Sequence, residues 1–122
     1  KGRAGDVYVT SGTGDSGTGA EIVIKAGTTS DSATGGKVTV ASGTSTSTTS
    51  GSLVLRTGDA GTAGVSGLLV LSTGTSTSGN SGGLYIGSGA ALKGRAGDVY
   101  VTSGTGDSGT GAEIVIKAGT TS

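Results

Sequence analysis

A chain of 122 residues with 28 Gly, 21 Thr and 18 Ser, and no Pro, Cys, Met, Trp, Phe or His, lacks the composition of an ordinary globular domain. Apolar residues make up 31%, too few for one compact core, and the eight basic and eight acidic residues cancel, which argues against nucleic acid as a partner. No apolar run approaches a membrane span, and the lack of Cys excludes disulfides and thiolate metal sites.

Lys1–Ser30 and Lys93–Ser122 are identical letter for letter, at a spacing of 92 residues. One long repeat therefore covers residues 1–92, and residues 93–122 begin the next. Both ends fall inside a shorter repeat, so the expectation is a window in a longer tandem array.

The shorter repeat is set by apolar-x-apolar triplets. In chain order they are Val7-Tyr8-Val9, Ile22-Val23-Ile24, Val38-Thr39-Val40, Leu53-Val54-Leu55, Leu69-Val70-Leu71, Leu84-Tyr85-Ile86, Val99-Tyr100-Val101 and Ile114-Val115-Ile116. Successive spacings are 15 or 16 residues, and six of them make up the 92-residue period. Alternation with period two, in β-branched and aliphatic residues, predicts a short strand at each triplet. The first and third residues form the expected core ladder: Val7, Val9, Ile22, Ile24, Val38, Val40, Leu53, Leu55, Leu69, Leu71, Leu84, Ile86, Val99, Val101, Ile114 and Ile116.

Two residues after every triplet comes a small residue, and then a Gly: Gly12, Gly27, Gly43, Gly58, Gly74, Gly89, Gly104 and Gly119. These are the expected turn glycines, because a positive φ is cheap there. A second Gly-rich corner precedes the next triplet, as at Gly35-Gly36, Gly51, Gly67, Gly82-Gly83 and Gly97. A flexible Gly/Ser linker has no reason to keep such a register. The reading is all-β: a parallel β-solenoid of about 15 residues per coil, with six flattened, two-sided coils in each long repeat. One side is aliphatic, and the other is built of short Thr, Ser and Gly. Two aliphatic side chains per coil return far less than the ordering of fifteen backbones costs, so coils would stand only by stacking.

The chemistry-bearing patterns are weak. Gly12-Thr13-Gly14-Asp15-Ser16-Gly17 fits GxGxxG and recurs at Gly104–Gly109, but no helix follows to supply an anion site, so it reads as a structural turn. Asp15, Asp31, Asp59 and Asp107 lie near Gly-rich corners, vaguely as in calcium-binding β-rolls, yet their spacing is irregular. Thr44-Ser45-Thr46-Ser47-Thr48 and Thr75-Ser76-Thr77 resemble the Thr arrays of ice-binding solenoids, but most coils break that lattice. No general base recurs beside a Ser or Thr, so no catalytic residue, metal ligand or cofactor-binding residue is expected and the chain reads as a non-enzyme.

The middle residues of the triplets form an outward column: Tyr8, Val23, Thr39, Val54, Val70, Tyr85, Tyr100 and Val115. Stacking of like residues explains such a column, and so does lateral contact with another copy. Lys25, Arg56, Glu21 and Asp59 are candidates for ion pairs across coils, with solvation as the default.

Segments such as Ser72–Ala91 (STGTSTSGNSGGLYIGSGAA) resemble the giant Gly/Ser/Thr-rich tandem-repeat fibrous proteins of microalgae and other protists. The resemblance covers the whole chain in composition and repeat style. It implies a secreted or packaged fibrous protein, extracellular or at the cell surface. The expected function is a long rigid filament whose partner is itself, end to end and side to side, with O-linked sugars as a candidate modification. An ice-binding or adhesive surface protein is the first alternative, and a calcium-binding β-roll is the second. Nucleic acid and a membrane span are not expected.

Overall fold

The computed structural model describes residues 2–121. The chain falls into two units, Lys1–Thr57 and Gly58–Ser122. Among the described residues there is no helix and no strand. The β-solenoid expectation is thereby overturned: the chain is irregular coil, with bends confined to the loops between triplets.

What is missing is the backbone ladder. Only three backbone–backbone hydrogen bonds form among the described residues: Gly36 N–H to the Gly27 carbonyl at 2.9 Å, Gly51 N–H to Gly43 at 2.9 Å, and Gly64 N–H to Gly61 at 3.4 Å. None of them involves a triplet. Nor is there a core, because no described residue is buried. All sixteen expected core-ladder residues, from Val7 to Ile116, are exposed. The physical reason lies in the balance between burial and ordering. A chain this rich in Gly loses more backbone entropy on ordering than most, and three-residue apolar segments bury too little to offset it.

A different regularity takes the ladder's place. In five of the seven intervals between triplets, the small residue two positions after a triplet meets the residue two positions before the next one, closing a loop at its neck. In the first unit, the Ser11 hydroxyl donates to the Ala20 carbonyl at 3.4 Å. Gly36 sits so close to Ala26 and Gly27 that an added Cβ would lie 3.1 Å from the Ala26 Cβ and 3.0 Å from the Gly27 nitrogen. Gly51 approaches Ser42 and Gly43 in the same way, less tightly. In the second unit, the Thr73 hydroxyl donates to the Gly82 carbonyl at 3.1 Å. Gly97 there faces the Ser88 Cβ. Five loops thus close in one register, each between consecutive triplets. Ala26, at the tightest neck, is one of only two described residues that are half-buried rather than exposed.

The glycines that matter are therefore not the ones the turn argument selects. An added Cβ at Gly12, Gly27, Gly43, Gly58, Gly74, Gly89, Gly104 or Gly119 would meet nothing within 4 Å. Among the described residues, positive φ occurs only at Gly17, Gly79 and Gly109, all inside loops. Close approach, not left-handed backbone, makes Gly the fitting residue at Gly36.

Ser and Thr hydroxyls shape the loops locally. Ser45 Oγ accepts from the backbone N–H groups of Ser47 at 3.3 Å and Thr48 at 2.9 Å. Thr29 Oγ1 accepts from the Asp31 N–H at 3.1 Å, and Asp31 Oδ1 accepts from the Ser32 N–H at 2.8 Å. Such short-range bonds offer the backbone an alternative to a ladder, which is why these residues favour turns over strands.

Candidate interaction surface

Between the necks, each triplet displays three side chains and its peptide groups to solvent. All eight residues of the expected outward column, Tyr8, Val23, Thr39, Val54, Val70, Tyr85, Tyr100 and Val115, are exposed. The column is real as an exposed set, but it is not set apart from the first and third residues, which are exposed as well. Individually, exposed apolar residues need no explanation. Their recurrence in every short repeat, beside peptide groups without protein partners, makes the triplets the principal unsatisfied surface of this chain.

The three tyrosines share one geometry that sequence reading did not single out. In extended backbone, residues two apart lie on the same side. Each phenol reaches back toward the residue two positions before it. For Tyr8 that residue is Asp6, and the hydroxyl donates to its Oδ2 at 3.5 Å. For Tyr100 it is Asp98, at 3.2 Å. For Tyr85 it is Gly83, and the ring lies over that glycine, with Cε2 just 3.0 Å from where a Cβ would stand. The signal was present in the sequence as Asp-Val-Tyr against Gly-Leu-Tyr, but it carries meaning only once the backbone is extended.

The other candidate chemistry is not assembled. No three carboxylates gather among the described residues, so Asp15, Asp31, Asp59 and Asp107 stand apart. Arg95 and Asp98 form the one ion pair among the described residues, at 3.7 Å and well exposed. Lys25, Arg56, Glu21 and Asp59 do not pair. The Thr-rich segments from Thr44 to Thr48 and from Thr75 to Thr77 are exposed but have no sheet beneath them to hold a flat lattice. The two GxGxxG segments form bends with no helix following. No cavity forms among the described residues, and they contain no helix long and apolar enough to cross a membrane.

Comparison with protein-family models, with curated proteins and with solved structures gives no match to this chain.

Proposed function

We propose that this chain is part of a structural protein, a tandem array that associates with copies of itself into an extracellular or cell-surface fibre. One observation carries the reading: a 92-residue period that restarts letter for letter displays an apolar triplet in every short repeat, and none of these triplets is buried. A uniform exposed stripe on a uniform repeat favours a partner with the same period, and another copy has it. Zero net charge lowers the repulsion between copies. The unpaired peptide groups of a triplet are open to pairing from a neighbouring chain. The exposed Ser and Thr of the loops are accessible to O-linked sugars.

The test is sedimentation velocity on the soluble array over a range of concentrations, with electron microscopy of the same samples. Growth into long particles as concentration rises supports the proposal. Monomers at every concentration, with no fibres in the images, overturn it.

A further inference from the structure

We propose that Tyr8 and Tyr100 are oxidative cross-linking sites, at which a phenol hydrogen-bonded to the carboxylate of Asp6 or Asp98 is oxidised and then joined to the same phenol of a neighbouring chain. The proposal rests on the fibre reading for the nearness of that neighbour, but not for the reactivity of the phenol.

The chemistry follows from the pairing. A phenol gives up an electron most readily when its proton has somewhere to go at the same moment. Asp98 Oδ2 stands 3.2 Å from the Tyr100 hydroxyl, at the edge of proton-transfer reach, and Asp6 Oδ2 stands 3.5 Å from that of Tyr8, so that a small closing movement places each carboxylate to take that proton. The pair recurs in both copies of the segment, so a long array would carry it once every 92 residues. The rings are exposed, so an oxidant can reach them and a second ring can approach. Tyr85 is equally accessible but faces Gly83, which has no proton acceptor to offer.

The oxidant is a peroxide acting through a one-electron peroxidase, and the step balances with it. Each of two phenols loses one electron to the oxidant and its hydroxyl proton to the adjacent carboxylate, which passes the proton to water. The two phenoxyl radicals join by a carbon–carbon bond between ring positions ortho to oxygen. The ring proton at each of those carbons then moves to the oxygen and restores the phenol. Two tyrosines and one hydrogen peroxide become one dityrosine and two waters.

The experiment treats the full chain with peroxidase and hydrogen peroxide. Dityrosine fluorescence is followed, and tyrosine loss is mapped by peptide mass spectrometry. Tyr8 and Tyr100 lie in identical peptides and are read together against Tyr85. The expected result is loss of the Tyr8/Tyr100 peptide about threefold faster than that of Tyr85, a modest share of what a buried catalytic base supplies. Asp6→Asn with Asp98→Asn removes the difference, and Gly83→Asp brings Tyr85 up to the faster rate. Asp6 and Asp98 are exposed, so their Asn variants keep the chain's conformation, whereas at Gly83 the added Cβ would stand 3.0 Å from Tyr85 Cε2 and the exposed ring must swing aside to meet the new carboxylate. Equal loss at all three tyrosines, or no effect of the Asp variants, overturns the proposal. Fast loss without dityrosine overturns cross-linking in particular. If dityrosine forms at the expected sites but only in small soluble oligomers, the site stands and the fibre reading falls.

Discussion

The segments that begin at Lys1 and at Lys93 have the same thirty residues but different neighbours, which makes them an internal control. Val99, which follows the triplet Leu84–Ile86, is 54% exposed, whereas Val7, in the first triplet of the described residues, is 88% exposed. At the other end of the segment the effect reverses. Ile24, followed by Val38–Val40, is 75% exposed, and Ile116, followed by none, is 91% exposed. Where both copies have a preceding triplet the values converge, with Ile22 at 50% and Ile114 at 49%. Within each unit, then, the outer residues of a triplet are partly covered by an adjacent triplet, whereas the middle residues Val23 (68% exposed) and Val115 (55%) do not follow that pattern. For Val99 that cover is about a third of a side chain, or about 0.5–1 kcal/mol. Such cover is nearest-neighbour in kind, as in other repeat arrays, and it grows with the number of repeats rather than with any one sequence.

The comparison also separates what depends on neighbours from what does not. Tyr8 and Tyr100 are equally exposed and make the same contact with their aspartates. That contact is local, between residues two positions apart. Arg95 pairs with Asp98, whereas Arg3 does not pair with Asp6. An exposed pair at 3.7 Å is weak enough for one copy to have it and the other to lack it.

Five changes would break or sharpen this contrast. The largest effect is expected from replacing Ile22, Val38 and Leu53 together with Ser, which removes three of the best-covered triplet positions. Self-association measured by sedimentation should be lost, while the same change at Thr28, Thr44 and Thr75 in the loops should leave it intact. Next comes the neck. Gly36→Val sets a branched side chain against backbone 3.0 Å away and should open the Gly27–Gly36 closure at a cost of about 1–3 kcal/mol, read as faster amide exchange at residue 36. Gly27→Ala, which adds its methyl to open space, should change stability by less than about 0.5 kcal/mol.

A smaller effect should follow from placing a copy of Gly58–Leu92 ahead of Lys1. Val7 should then become as covered as Val99, a gain of about 0.5–1 kcal/mol, visible as weaker paramagnetic broadening of its methyl signals by a soluble probe. If Val7 stays as accessible as before, neighbour cover is not the cause of the contrast. The smallest change is expected from Arg95→Gln, which should alter stability by no more than about 0.5 kcal/mol and only at low salt, as seen in thermal melts across ionic strengths.

Much of the organisation is legible in the residue spacing alone. The triplets, the small residue and Gly after each one, and the second Gly-bearing corner are all visible as spacing. What misled was the step from alternation to strand. Val38-Thr39-Val40 alternates perfectly, but alternation records which side chains can share a side, not whether the peptide groups find partners. The neck glycines were seen as corners, yet nothing in the spacing says that Gly36 closes on Ala26 while Gly27 faces open space. That is a matter of distance between segments nine or ten residues apart. Nor could the spacing show that Tyr8 and Tyr100 have a carboxylate within reach and Tyr85 does not, because that depends on an extended backbone at those positions.

By itself, the sequence determines the period, the neutrality, the lack of side chains of the thiol and imidazole kind, and the recurrence of one apolar triplet in every short repeat. Those are properties of composition and register, which folding cannot alter. The tertiary structure alone decides that the triplets stay unpaired, that the loops close at small-residue necks, and that identical segments differ in cover. These outcomes turn on small differences between backbone entropy and contact energy, and only the arrangement of neighbours in space sets the sign of such a difference.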